Sequence, residues 1–197
     1  LLPSRALRDQ LPSLFAQSGR VVKSGLERTA SLLEATIRGI GWCLLPLALY
    51  VVIGEFLVTA LRYGVGFSRN WLNESVLAAN AAIFMLGAGW ALLEDQHVRV
   101  DVLSRRFGPR ARAFSELAGI LLFLMPVCLL ILIISLEYVV QSYRIDEHSR
   151  EADGLAHLWL QKALIPAGAG LLLLAGMARA LRQLLALLHP TPTRSPA

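Results

Sequence analysis

Apolar residues in this chain gather into long unbroken blocks, where the core of a soluble domain would spread them at helical or strand spacing. The clearest block covers 117–136, twenty residues without a charge between Glu116 and Glu137. A second covers 75–93, nineteen uncharged residues between Glu74 and the pair Glu94 and Asp95. A bilayer core of about 30 Å takes about 20 helical residues to cross, and lipid leaves unpaired backbone unsatisfied. Both blocks therefore predict crossing helices. Two shorter blocks, 39–54 and 163–178, reach the same length with their extensions. The first continues through 56–61 past Glu55; the second continues through Leu181, Leu184, Leu185, Leu187 and Leu188 if Arg179 and Arg182 snorkel to the headgroups. The pattern predicts an all-α membrane protein with four transmembrane helices, spanning about 39–61, 75–93, 117–140 and 163–186.

Ahead of the first span, Leu7, Leu11, Leu14, Phe15, Val22, Leu26, Leu33 and Ile37 lie near helical spacing, with Arg8, Arg20, Lys23 and Arg28 between them. Residues 1–38 thus read as an amphipathic helix lying at the membrane interface, broken near Pro12 or Gly19. The same 38 residues set the first span apart from a cleaved signal peptide. At the other end Pro190 stops the last helix and 189–197 form a flexible tail. Pro126 in the third span, and Pro166, Gly168, Gly170 and Gly176 in the fourth, point to close helix packing.

Composition agrees with this picture: the chain is 55% hydrophobic, with mean hydropathy +0.56. The distribution of its nineteen basic residues adds an orientation. Six fall in 1–38, five in 94–113 and three in 179–197, against two in 61–74 and three in 144–162. Both termini and the middle connection are expected in the cytoplasm, with 61–74 and the acidic 144–162 outside. A net charge of +5 then reflects anchoring to the inner leaflet, and nucleic acid is not an expected partner. Cys43 and Cys128 fall inside spans and read as small packing residues.

Candidate chemistry is sparse. His97, His148, His157 and His189 lie in connections or beyond the last helix, where they could not ligate a haem inside a bundle. No His-x-x-x-His pair, nucleophile elbow or phosphate loop occurs, so no cofactor, metal or catalytic residue is expected and the chain does not read as an enzyme. Glu55 is the one charge well within a span, and a candidate ion or proton site for that reason. A free-standing channel or small transporter is the alternative reading; Glu55, Ser75, Asn80 and Ser135 are the residues that could line its path.

The most distinctive stretch, "LLEDQHVRVDVLSRRFGPRARA", joins the second and third spans. It resembles the segment after the second helix in the small permease subunits of tripartite ATP-independent periplasmic (TRAP) transporters, the DctQ-type family. The family's pattern of a His, alternating hydrophobic residues and an Asp is matched by His97, Val98, Val100 and Asp101. "LRYGVGFSRNWLNES" resembles its Arg-Tyr ending of helix one and its aromatic and Glu opening helix two, here Arg62, Tyr63, Trp71 and Glu74. "HLWLQKALIPAGAGLLLLAG" resembles the start of its helix four, with Trp159, Lys162, Ile165, Pro166 and Gly168. The form of the middle stretch is most similar to the mannitol/chloroaromatic-like branch. The long amphipathic N-terminal stretch departs from the family's shorter leader.

This resemblance implies a small scaffold subunit in the bacterial inner membrane. Its implied partners are a large permease subunit, a periplasmic substrate-binding protein and membrane lipid. The whole transporter would import organic acids (2-oxo acids, other monocarboxylates or dicarboxylates) by sodium-coupled secondary transport. Arg144, Asp146, Glu147, Arg150, Glu151 and Asp153 are the expected contacts for the binding protein. Trp71, Glu74, His97, Arg99, Asp101, Trp159, Lys162 and Pro166 are the expected structural and subunit-interface residues, His97, Arg99 and Asp101 as a latch at the inner interface.

Overall fold

The computed structural model describes residues 4–94 and 108–188, with side chains for 23–94, 108 and 110–188. Helix α1 spans Ser4–Gly64, α2 Asn70–Leu93, α3 Pro109–Gly119, α4 Met125–Arg144, α5 Leu158–Lys162 and α6 Leu164–Leu188. A π-helical turn, Ile120–Leu124, joins α3 to α4 without interruption. Four stretches are long and apolar enough to cross a membrane: Lys23–Gly64, Asn70–Leu93, Arg110–Arg144 and Leu158–Leu188. The described residues contain no strand. Each helix overshoots its apolar block, because backbone hydrogen bonding continues through polar flanks until a loop replaces it.

The expected break near Pro12 or Gly19 is absent. α1 runs unbroken from Ser4 to Gly64 through Pro12, Gly19 and Pro46. An interior proline costs about 3 kcal/mol and a glycine about 1 kcal/mol, which the remaining bonds of a long cooperative helix absorb. The face that packs is marked by Ala30, Ile37 and Leu44, buried at intervals of seven residues. α1 is therefore held by its neighbours from residue 30 onward, well before the apolar block begins.

α6 is the hub, packing on α1, α2, α3 and α4. It runs parallel to α2 and very close: a Cβ on Gly168 would stand 2.6 Å from the Met85 carbonyl oxygen, and one on Gly89 would stand 3.0 Å from that of Leu171. Only glycine allows backbones to approach so far. Of the three glycines of the fourth span expected to pack closely, Gly168 and Gly176 do, the latter against the Leu124 side chain, and Gly170 meets nothing within 4 Å; Pro166 is buried in the first turn of α6, where its missing amide is tolerated.

Along α3 and α4 the buried positions are Ala113, Ile120, Cys128, Ser135 and Ser142. The spacing is seven residues except across the π turn, where it is eight. Pro126 has no N–H to offer Leu122, and the preceding turn opens so that Met125 N–H bonds to the Ile120 carbonyl. The extra residue is absorbed there, and one face stays turned to α6. Cys128 is buried, as expected, but Cys43 lies exposed on the opposite face of α1 from the packing stripe; both are free thiols.

Candidate functional site

The polar side chains with partners gather at the two ends of the bundle. At the hairpin end, the connection 145–157 folds over the start of α2. Arg69, the residue preceding α2, supplies no side-chain cap. The hairpin does so instead: the Trp71 amide donates to the Asp153 carbonyl (3.0 Å), Asn70 Nδ2 to the Ala152 carbonyl (2.8 Å), and Arg69 Nη1 to Asp153 Oδ2 (2.9 Å). Glu74, one turn into α2, takes the hairpin from below. Its carboxylate accepts the Leu155 amide at 2.6 Å and the Ser149 hydroxyl. Asp146, Asp153 and His157 adopt left-handed backbone, which lets so short a connection double back.

Beside it, Lys162 Nζ donates to Glu147 Oε2 at 2.5 Å and lies 4.1 Å from the centre of the Tyr138 ring. Ser142 donates to the same Glu147 oxygen at 2.7 Å. These donors, Lys162 first, hold the Glu147 carboxyl below the usual glutamate range. Trp159 packs edge-on against Tyr143, with ring centres 5.4 Å apart. The structure thus brings Trp71, Glu74, Glu147, Asp153, Trp159 and Lys162 into one assembly. Glu147 and Asp153, expected to face outward to a partner, are engaged within the chain, because the basic residues nearest them are Lys162 and Arg69. Arg144, Asp146, Arg150 and Glu151 are exposed.

At the opposite, arginine end, α6 gathers the other helices. Arg179 donates to the Leu92 carbonyl at 2.6 Å and meets Glu116 Oε1 at 3.1 Å; Gln183 donates to Glu116 Oε2 at 2.8 Å. Arg182 grips Glu34 with two bonds, 2.8 and 2.9 Å, and Arg38 pairs with Glu94 at 3.2 Å. Glu34, Arg38, Leu93, Arg179, Arg182 and Gln183 line a cavity of about 190 Å³. Of the two arginines expected to snorkel to headgroups, Arg179 turns inward to Glu116, and Arg182, half exposed, pairs with Glu34 on α1. Sequence reasoning missed this network; its one signal was the repeat of cation and amide at 179, 182 and 183 on one helical face. His97, Arg99 and Asp101 lie outside the described residues.

Between the ends the interior is apolar. Its buried polar side chain among the described residues is Ser135, the other buried serine, Ser142, belonging to the hairpin end. Glu55 and Glu137 are exposed on α1 and α4 and make no hydrogen bond or ion pair with the described residues. Among the described residues no cluster of three metal-ligating side chains occurs.

A family profile described as "Tripartite ATP-independent periplasmic transporters, DctQ component" matches residues 51–186. The chain belongs to the DctQ family. The match takes in α2 to α5 whole, together with the hairpin, Glu116, Arg179 and Arg182. Glu34, Arg38 and most of the long α1 lie before it. No curated protein and no solved structure matches the DctQ chain. It is a component of a transporter, and its family is not one of enzymes.

Proposed function

We propose that this DctQ chain is a rigid membrane scaffold: it holds the large permease subunit in the bacterial inner membrane and presents the hairpin end to a periplasmic binding protein. The carrying observation is where the polar groups lie. They are spent on tying helix ends together, while the interior between those ends carries one buried serine, Ser135, and no charge among the described residues. Such a bundle suits holding a partner better than conducting an ion. On this reading both termini and the arginine end face the cytoplasm, in keeping with the basic residues of 1–38 and 94–113.

Arg144, Asp146, Arg150 and Glu151, displayed on the braced hairpin, are the proposed contacts for the binding protein, with Glu147 and Asp153 supporting them from within. The latch role of His97, Arg99 and Asp101 belongs to the same proposal. The transporter's cargo is proposed to be an organic acid (a 2-oxo acid, another monocarboxylate or a dicarboxylate) taken up with sodium. Branch membership near the mannitol/chloroaromatic-like proteins is part of this reading. Reconstitution tests it: proteoliposomes with large subunit, binding protein and this chain accumulate such an acid under a sodium gradient, and those lacking this chain do not. Transport by this chain alone would overturn it.

A further inference from the structure

The exposed face of α1 carries a charge that no side chain among the described residues answers. Trp42 and Tyr63 are 66% and 83% exposed on this helix and stand 21 residues apart, about 31 Å at helical rise. That matches the hydrocarbon thickness, and aromatic residues favour its two borders. α2 carries Trp71 and Trp90 near its two ends; Trp90 lies against Gly41, beside Trp42, and Val76 against Gly54, which puts Trp71 about 6 Å inside the level of Tyr63. Glu55 sits between these borders, about 12 Å below Tyr63 and about 6 Å below the level of Trp71. Its neighbours on the exposed side are Phe56, next in the chain, and Val52 and Thr59, one turn away in either direction, and the packing stripe with Gly54 against Val76 takes the other side.

Lipid tails offer an ionised carboxylate neither a donor nor a countercharge, and α1 brings no cation to this one. We infer that the Val52–Glu55–Phe56–Thr59 face of α1 is the docking surface for a transmembrane helix of the large subunit, one that presents a Lys or Arg to Glu55 within the outer half of the bilayer. The inference rests on the scaffold reading and adds to it a face, a depth and a charge. Phe56, 74% exposed, would supply the apolar anchor beside the ion pair. The competing face is that of α4 around Glu137, which is exposed too and lies about 10 Å from the end of its helix at Arg144.

A photo-crosslinking residue placed singly at Val52, Phe56 or Thr59, and at Ile133 or Leu136 on α4, separates them in membranes holding the full chain with its large subunit. The expected result is an adduct to the large subunit, identified by mass, from the three α1 positions. Glu55→Leu should lower co-purification of the large subunit at least tenfold and Glu55→Asp should restore most of it, while unfolding of the isolated chain is unchanged by either. Adducts from α4 alone, adducts to lipid alone from α1, or full co-purification with Glu55→Leu would overturn the inference and leave the scaffold reading standing. No adduct to the large subunit from any position would overturn both.

Discussion

The two ends of the bundle do the same job, fixing helix termini in register, with different chemistry. At the hairpin end most of the bonds that tie α2 to the loop use a backbone group on one side: the Leu155 amide donates to Glu74, the Trp71 amide to the Asp153 carbonyl, and the Asn70 side chain to the Ala152 carbonyl. At the arginine end they run from side chain to side chain, and most start on α6, from Arg179, Arg182 and Gln183. Backbone bonds survive most substitutions at the residue that makes them. Guanidinium pairs are lost one residue at a time. The hairpin end should therefore tolerate sequence change in its loop but depend on the one carboxylate of Glu74, whereas the arginine end concentrates its strength in Arg179.

The largest expected effect is that of Arg179→Ala. The Arg179 side chain is 14% exposed and Glu116 20%, so removing the guanidinium takes a partly buried carboxylate's countercharge and the Leu92 carbonyl's donor together. A loss of about 3 kcal/mol is expected, read as a fall in the thermal unfolding midpoint in detergent. Next is Glu74→Ala, which deprives the Leu155 amide and Ser149 hydroxyl of their acceptor and should cost about 1 to 2 kcal/mol. Amide exchange should rise at least tenfold over 149–155 and stay unchanged near Arg179. Equal loosening of both ends would refute the claim that they are braced independently.

Acid gives a smaller, graded effect. The Glu147 carboxyl is held below the ordinary glutamate value of 4.5 by Lys162 and Ser142, so its ionised form stabilises the folded hairpin. That contribution is complete above the unfolded value and is lost as pH falls through the lower folded one. The unfolding midpoint should be insensitive to this group above pH 4.5 and decline below it, and Glu147→Gln should flatten the acid limb. Smallest is Arg69→Ala. Arg69 and Asp153 are each about half exposed, and loss of their pair should cost below about 0.5 kcal/mol in the same unfolding assay and less in high salt.

What sequence revealed follows the same division. The four crossings were legible because a chain folding in water rarely keeps a run of bilayer length free of charge. Their ends were not. α2 begins at Asn70, five residues before its block, because its cap comes from Ala152 and Asp153, more than eighty residues away. Glu74 could be recognised as an anchor of helix two, but its bond to Leu155 depends on a hairpin whose shape is set by left-handed Asp146, Asp153 and His157. Arg182 looked like a headgroup ligand because its partner Glu34 is 148 residues distant, and Glu116 looked like a span boundary for the same reason. Charge sign is local in sequence; charge pairing is not.

The π turn at Ile120–Leu124 makes this helix forgiving of one kind of genetic accident. Removing a single codon within 121–123 would close the turn to ordinary α geometry, and Ala113, Ile120, Cys128, Ser135 and Ser142 would still share a face, now at an even spacing of seven. The same loss in the middle of α6 would rotate half of the hub by about 100° and sweep Gly168 or Arg179 off its neighbour. A deletion scan along the membrane helices should therefore find its one island of tolerance at the turn before Pro126.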